Sequence, residues 1–475
     1  MLGLFGTLNL AARSLQTQMT GVEVSGQNLA NVNTTGYSRQ RVNIQTSPDV
    51  TTAIGSEGTG ANAVAIQQLV SSLLNNQIQG QSSTSGYWNA QQGALQTAQT
   101  DLNEFLNGTG SSSSTTGAAD STTSSGLSSQ LSGLFNAFKG LSASPTSMTA
   151  RQAVITQAQN LATTFNQVDS QLSSLNDSLN SSLSSDVSSA NKLLSDIANL
   201  NSEISYAGFT GGTANDLMDA REQDLENLSQ LVNVQTSTGT NGALDVNIGN
   251  QTLVSGNQVV DTLQTYDAGN GKMLVQTATG GVPLTLTGGS MQGTIDARDG
   301  TLLTLRNKVG NLASSLLTAV NNTHNGGFNL NGGSGTLFFN GNSSSNISVN
   351  QSLVDNPALI QASGTSTAAG DNSVALALSQ LASTTMSDLN DQTFSDTYTQ
   401  SVAGLGDAVQ TANDQVTNQA VVTNMLQTQR SSVSGVNVDE EMTNLMGFQR
   451  AYEASAQLVT TINTLMGDTL AMKTS

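Results

Sequence analysis

Residues 25–41 read SGQNLANVNTTGYSRQR, and this stretch decides how the chain is organised. It begins inside a helical pattern and ends in an alternating one. Asn and Gly tolerate left-handed backbone conformations, so the NVNTTG cluster predicts a firm helix end and a turn. From Tyr37 onward the large side chains, Arg39 and Arg41 among them, occupy every second position. That alternation predicts an extended arm after the helix.

Both ends of the chain carry a seam with the spacing of a heptad repeat. The helix before the quoted stretch has intervals of four and three residues at Leu8, Ala12, Leu15, Met19, Val22, Gly26 and Leu29. The same intervals return near the other end, at Val438, Met442, Leu445, Gln449, Tyr452, Ala456, Val459, Asn463, Met466 and Leu470, with a second stripe beside them at Phe448, Leu458, Ile462 and Leu465. A lone helix cannot bury such stripes. We predict that the two helices pair as a coiled coil; the alternative is that each packs separately on a globular core.

The last helix has a predicted start and a predicted ionic partner. Asn437 is a preferred N-cap residue, and Glu440 stands three residues later in the capping-box position. Arg39 and Arg41 form a basic pair in an otherwise acidic chain. We predict that they pair with carboxylates on a neighbouring copy or at the acidic turn 439–441, the alternative being an ordinary solvated pair.

Between the two ends the pattern changes from helical to alternating and back. Helical periodicity runs over 61–106, and the longest seam spans 154–204 with a slip of one residue after Leu179. Over 233–296 the period is two and Gly residues punctuate it, which predicts antiparallel strands. Residues 108–126 are rich in Ser, Thr and Gly and are expected to be a flexible surface segment.

The predicted fold class is mainly α with an inserted small β-domain. The molecule is expected to be an elongated rod of long helices whose N- and C-terminal helices pair. The predicted domains are a terminal coiled-coil domain (1–45 and 433–475), a long-helix rod domain (46–232 and 297–432) and an inserted antiparallel β-domain (233–296). Neither terminal helix has a third partner in this pattern, so the ends are expected to order only on assembly.

Composition argues against an enzyme, a cofactor or a metal site. The net charge of −19 repels nucleic acid and anionic lipid, and no apolar run is long enough to span a membrane. The chain has no Cys, its N-terminal sequence is not expected to be a cleavable secretory signal, and its one histidine, His324, is predicted to be a structural loop residue. The helix with the most acidic residues is expected to present them on a solvated face: Asp216, Asp219, Glu222, Asp224 and Glu226.

Three segments together resemble one family. They read NLANVNTTGYSRQ at 28–40, ANDLMDAREQDLENLSQLVNV at 214–234 and GVNVDEEMTNLMGFQRAYEASAQLVTTINTLM at 435–466. The first is similar to the N-terminal signature of bacterial flagellar rod, hook and hook-associated proteins. Its GYSRQ ending and the other two segments look most like the hook-associated members at the hook–filament junction.

The resemblance implies a structural subunit of the bacterial flagellum, and so a protein of motility. Such subunits self-assemble at the hook–filament junction, connect hook and filament, and line the channel with their terminal helices. The implied partners are further copies of the chain, hook protein, the second junction protein (hook-associated protein 3) and an export chaperone on the C-terminal helix. The implied location is the extracellular flagellum, reached uncleaved through the flagellar type III export apparatus. Nucleic acid and membrane are not expected partners.

The expected site residues fall into two sets. The assembly interface is expected on the terminal seams, at Leu8, Leu15, Met19, Val22, Leu29, Met442, Leu445, Tyr452, Val459 and Met466. The family motif, which shapes the connector after the first helix, consists of Asn28, Asn31, Asn33, Thr34, Gly36, Tyr37, Ser38, Arg39 and Arg41.

Two rival interpretations remain open at this point. One is another axial flagellar protein, such as a hook or distal rod protein, against which the GYSRQ and DAREQ segments argue. The other is a secreted coiled-coil adhesin or binding module whose β-domain would recognise a ligand. Failure to co-purify with hook–basal bodies would favour the second.

Overall fold

A computed structural model of the chain describes residues 3–52, 55–102, 126–210, 212–239, 242–269 and 271–474. The Ser/Thr/Gly-rich segment predicted at 108–126 therefore lies outside the described residues, apart from Gly126.

Long helices form most of the described structure. They are α1 (Leu4–Ala30), α2 (Ser72–Asp101), α3 (Leu127–Ala143), α4 (Met148–Phe209), α5 (Asn215–Leu231), α6 (Gly289–Asp296), α7 (Leu303–Asn325), α8 (Gln351–Asp355), α9 (Ser373–Gln380), α10 (Phe394–Ser434) and α11 (Val438–Thr474). The longest, α4, has 62 residues. At about 1.5 Å per residue it is roughly 90 Å long, so it forms the axis of an elongated, rod-shaped part of the molecule.

The strands are short and pair antiparallel in small sheets. They are β1 (Gln40–Thr46), β2 (Val50–Thr52), β3 (Gly55–Glu57), β4 (Ala61–Gln68), β5 (Val234–Thr238), β6 (Leu244–Ile248), β7 (Gln251–Ser255), β8 (Gln258–Val259), β9 (Leu263–Asp267), β10 (Met273–Thr277), β11 (Phe339–Asn340) and β12 (Ser348–Val349). Four of them form the meander β5-β6-β7-β8, and the pairs are β1-β4, β2-β3, β9-β10 and β11-β12. The mainly helical fold with small antiparallel sheets is confirmed.

The helix predicted over 61–106 is wrong over its first residues. Residues 61–68 form β4, which pairs with β1 from Gln40 opposite Gln68 to Thr46 opposite Ala61. In ANAVAIQQ, Ala takes every second position up to Ala65, and the β-branched Val64 and Ile66 suit a strand. The helix itself begins at α2, where the Ser71 side chain caps it by accepting a hydrogen bond from the Leu74 amide.

The rod contains two apolar cores, and α4 contributes to both. The larger core takes the α4 side chains up to Leu179, and the second takes those from Leu183 onward. Every residue of the two predicted α4 seams is buried, so the seam and its slip are confirmed. Opposite the slip, a π-helical segment (Ala297–Leu302) joins α6 to α7. Its buried Arg298 donates to the Asn180 side-chain oxygen (2.7 Å) and to the Met273 carbonyl (2.8 Å).

The helices α1 and α11 and the strands β1 to β4 form what we call the terminal module, and the elements from α2 to α10 form the rod. Within the module α1 packs against α11, with the Ser14 and Ser455 hydroxyls 2.9 Å apart. An added Cβ at Gly21 would come within 2.6 Å of the Phe448 ring, which shows how closely the helices approach. The hairpin β1-β4 lies along the same helix, since the Thr17 hydroxyl donates to the Ala61 carbonyl (3.1 Å). The prediction that α1 has no third partner is therefore wrong.

Candidate assembly site

The connector between α1 and β1 turns tightly, as its composition predicts. The Thr34 amide donates to the Asn31 carbonyl (2.9 Å), and the Tyr37 amide donates to the Thr34 carbonyl (3.2 Å). Gly36 has φ +82°, a left-handed conformation that a residue with a Cβ adopts only with strain. Asn33 and Thr34 are exposed, so they are available to another molecule.

Asn28 is the centre of the connector's hydrogen-bond network. Its side chain is almost fully buried, with 1% exposed. The amide oxygen accepts from the Tyr37 hydroxyl (2.8 Å) and the Gln40 amide (2.9 Å). The amide nitrogen donates to the Gln40 carbonyl (2.7 Å) and to a Glu441 carboxylate oxygen (3.1 Å). One side chain thus joins the end of α1, the start of β1 and the first turn of α11.

Arg39 forms the ion pair that the sequence predicts at the acidic turn. Its Nη2 lies 2.8 Å from Glu440 Oε1, and its Nε lies 2.6 Å from Glu441 Oε1. The hydrogen bond to Glu440 is the main cause that raises the pKa of Arg39, and the same bond lowers the pKa of Glu440. The predicted N-cap is confirmed too, because the Asn437 side chain accepts from the Asp439 (3.0 Å) and Glu440 (3.3 Å) amides.

Arg41 does not share this arrangement. It lies on β1 opposite Gln67, its side chain is exposed, and it forms no ion pair with another described residue. The prediction of a carboxylate partner is therefore confirmed for Arg39 at the acidic turn, and for Arg41 a partner on another copy stays a prediction.

The motif at 214–234 folds as α5 and meets the connector directly. The Ser38 amide donates to Asp219 Oδ2 (2.9 Å), and the Gln40 side chain donates to Asp216 Oδ1 (2.9 Å). Burial is the main cause that raises the pKa of Tyr37 to about 12, and the charges of Asp216, Asp219 and Glu441 add to it. All three segments that carry the family resemblance thus meet at the connector, since Arg39 also pairs with Glu440 and Glu441 of the third segment.

The expected solvated face of α5 is wrong for most of its acidic residues. Glu222 accepts from the Gln79 side chain (2.9 Å), and burial raises its pKa. Glu226 is buried and forms an ion pair with Arg430 of α10. Together with the connector these side chains line a cleft of about 550 Å³ between α5 and α10. Periodicity alone could not show this, because the partners come from distant segments.

The contact between α1 and α11 runs beside the predicted seam on α11. Phe448 and Ser455 make the contacts, and Ile462 is buried, whereas the predicted seam residues Gln449 and Asn463 are exposed. The helix thus places Phe448 rather than its neighbour Gln449 against α1, which buries more apolar surface.

The predicted interface residues of the two seams are half-buried or exposed in the single chain. Three of them are among the exposed large apolar side chains, with 49%, 48% and 40% of their surface accessible: Met19, Met442 and Tyr452. The others are half-buried: Leu8, Leu15, Val22, Leu29, Leu445, Val459 and Met466. On α11 they adjoin further exposed residues, namely Met446, Leu458 and Leu465. The terminal module therefore presents an uncovered apolar surface.

The one histidine has a structural place in the rod. His324 lies in the last turn of α7 and not in a loop, and its ring is fully buried. Nδ1 bonds the Thr336 carbonyl (2.8 Å), and Nε2 accepts from the Gln361 amide (2.9 Å). Burial lowers the pKa of His324 to about 4, so the ring is neutral. The described residues hold no group of His, Asp or Glu side chains that could bind a metal ion.

None of the described helices combines the length and the apolar character that a membrane span requires.

Comparisons with known proteins agree over most of the chain. A family model described as the flagellar hook-associated protein FlgK helical domain matches residues 113–339, and one described as flagellar basal body rod FlgEFG protein C-terminal matches 427–472. Flagellar hook-associated protein 1 of Bacillus subtilis is 26% identical over 97% of this chain and 96% of its own length. The protein of the same name from Salmonella typhimurium is 25% identical over 96% of this chain and 98% of its own length.

Among solved structures, the flagellar hook junction protein FlgK from Burkholderia pseudomallei has a similar fold. Its TM-score is 0.63 at 16% sequence identity, and the match covers 76% of this chain and 100% of that one. The sequence motifs and the near full-length relatives agree: this chain is similar over nearly its whole length to proteins named flagellar hook-associated protein 1, and its fold is similar to that of a flagellar hook junction protein.

Proposed function

We infer that this protein is a structural subunit of the bacterial flagellum, where it self-assembles at the hook–filament junction and connects hook and filament. The observation that carries this inference is the match over nearly the full length to proteins named flagellar hook-associated protein 1. The match to a rod-protein family model is confined to 427–472, so it does not favour a hook or rod protein over a junction protein.

The apolar surface of the terminal module supports assembly through the terminal helices. Soluble monomers rarely leave large contiguous apolar patches uncovered, and such patches mark sites of association. Exposed apolar side chains recur along α11 from Met442 to Leu465. We propose that neighbouring copies cover them in a tubular layer, with the two seams as the contact residues and the connector against the next subunit.

The remaining partners follow from the same proposal. A subunit at this junction would contact hook protein on one side and the second junction protein, hook-associated protein 3, on the other. Before export the same α11 surface would bind a chaperone, because an uncovered apolar stripe needs shielding in the cytoplasm. The subunit would then pass uncleaved through the flagellar type III apparatus and act outside the cell. A role as an enzyme gains no support from the described side chains, since the buried histidine has both ring nitrogens engaged.

A strain without this protein tests the proposal. We expect isolated flagella of that strain to end at the hook and the cells to be non-motile, and the wild-type chain to restore both filament and motility. Filaments of normal length and number on the hooks of the deletion strain would contradict the proposed function.

A paired substitution tests the surface. Replacing Met442 and Leu465, which are 48% and 49% exposed, by Ser should abolish restoration while the thermal midpoint of the monomer stays unchanged. The matched control is Leu376→Ser, because Leu376 is 43% exposed on α9 of the rod. Equal restoration by both variants would show that copies do not associate through α11.

A further inference from the structure

Hydrogen bonds join the terminal module to the rod, but among the described residues the two share no apolar core. The Asn215 side chain of α5 donates to the Ile66 carbonyl (3.1 Å), and the Gln68 side chain donates to the Asn215 carbonyl (2.5 Å). None of the apolar clusters of the described residues includes a side chain of α1, α11 or β1 to β4. The orientation of the module on the rod therefore depends on a small set of directional polar contacts.

The main chain passes between rod and module at two places, residues 69–71 and 435–437. Arg39 touches both. Its amide donates to the carbonyl of Ser434, the last residue of α10 (2.8 Å), and its carbonyl accepts from the Leu69 amide, just before α2 (2.8 Å). The backbone of one residue thus bridges the two crossings.

The Arg39 side chain adds a third link, to the start of α11. It bonds Glu440 and Glu441, which lie in the first turn of α11 after the crossing at 435–437. Glu441 is 2% exposed and also accepts from Asn28 at the end of α1, so the ion pair holds both helices of the terminal pair. A rotation of α11 about the crossing would break this pair, because Arg39 is held to α10 through its own backbone.

We propose that Arg39 is the positioning residue that fixes the orientation of the terminal helix pair on the rod. The backbone links hold the two crossings together, and the guanidinium sets the direction in which α11 leaves them. The consequence for junction assembly rests on the proposed function, whereas the orientation itself is a property of the single chain.

Distance measurements between two spin labels test the orientation in the monomer. The chain has no native Cys, so Asn418→Cys on α10 and Gln457→Cys on α11 provide one exposed label on each side of the joint. We expect a single narrow distance distribution for the otherwise wild-type chain. Arg39→Met should broaden it at least twofold or shift its mean, and Arg39→Lys should recover most of the narrow component because it keeps the charge.

Arg41→Met is the matched control, since Arg41 lies two residues away with an exposed side chain and no ion pair to a described residue. It should leave the distribution as narrow as wild type. Glu441→Gln removes the charge but keeps an amide that can bond Asn28, and it should broaden the distribution as well. If Arg39→Met lowers the thermal midpoint of the rod, its distance distribution no longer reports on orientation alone, and the result for Glu441→Gln tests the proposal instead.

Distributions as narrow as wild type in both Arg39→Met and Glu441→Gln would overturn the proposal. Complementation separates this outcome from a failure of the proposed function. If the wild-type chain does not restore filaments to the deletion strain, the junction role fails whatever the distances show. If it restores them and the distances do not respond to Arg39, only the positioning role fails.

Discussion

The rod and the terminal module are built from the same kind of helix but are held in different ways. In the rod, α4 buries a continuous apolar stripe against two cores, and Phe165 and Leu194 there are fully inaccessible. In the terminal module, α11 is nearly as long as α10, yet Ile462 and Glu441 are its only buried side chains among the described residues. We therefore expect the rod to fold on its own contacts and the module to leave contacts for other molecules to complete.

The largest expected effect comes from the rod core. Phe338 is fully buried, with its ring 5.4 Å from that of Phe138 and 4.8 Å from that of Phe339. Phe338→Ala should lower the free energy of unfolding by about 3–5 kcal/mol, because it removes apolar contacts and leaves a cavity. Chemical denaturation followed by circular dichroism measures it. Leu337→Ala, at a site 46% exposed, is the control and should cost far less; similar losses would mean that this core does not hold the rod together.

The second effect is a pH dependence that belongs to the rod. The pKa of His324 falls from 6.5 to about 4 on folding, chiefly through burial. The unfolded chain therefore binds a proton that the folded chain rejects, so stability from this group is complete above pH 6.5 and is lost as the pH falls towards 4. The free energy of unfolding should fall by about 3 kcal/mol, because each pKa unit corresponds to about 1.4 kcal/mol.

The check is the unfolding free energy from pH 7 to pH 4 in the wild type and in His324→Gln. The carboxylates titrate in both proteins, so only the difference between the two curves reports on the histidine. The unfolding free energy of the wild type should fall, relative to that of His324→Gln, by about 3 kcal/mol from pH 7 to pH 4. Parallel curves would show that His324 is not kept neutral by the fold.

The contrast between rod and module also marks what could be predicted from sequence. The α4 seam and its slip were predictable because apolar periodicity records burial directly. The pairing of Arg39 with the acidic turn was predictable because charge is rare in this chain. The role of Asn28 was not, because its partner Glu441 lies 413 residues away and a polar contact leaves no periodic signal. The same limit applies to Glu226, whose partner Arg430 comes from α10.

The next prediction concerns a close approach of helices inside the rod. An added Cβ at Gly86 of α2 would come within 2.0 Å of the Gln230 carbonyl oxygen at the end of α5. Gly86→Ala should therefore destabilise the rod by about 1–3 kcal/mol, since backbone atoms must move apart. Gly80 lies on the same helix with nothing within 4 Å of an added Cβ. Gly80→Ala should stabilise the rod by up to about 1 kcal/mol through helix propensity. Thermal melts should therefore show a lower midpoint for Gly86→Ala and a slightly higher one for Gly80→Ala.

The smallest expected effect compares two helix caps, one in the rod and one in the terminal module. Ser147 caps α4 by accepting from the Ala150 amide (3.3 Å), and Asn437 caps α11 by accepting from the Asp439 amide (3.0 Å). Losing either cap costs its helix about 1 kcal/mol. Ser147→Ala should lower the global unfolding free energy by that amount, because α4 lines both cores. Asn437→Ala should leave the global unfolding free energy unchanged, because no side chain of α11 belongs to either apolar core. It should instead speed amide hydrogen exchange about fivefold in the first turns of α11. If both variants lowered global stability equally, the terminal module would unfold together with the rod, and the distinction between a self-sufficient rod and an unfinished module would be lost.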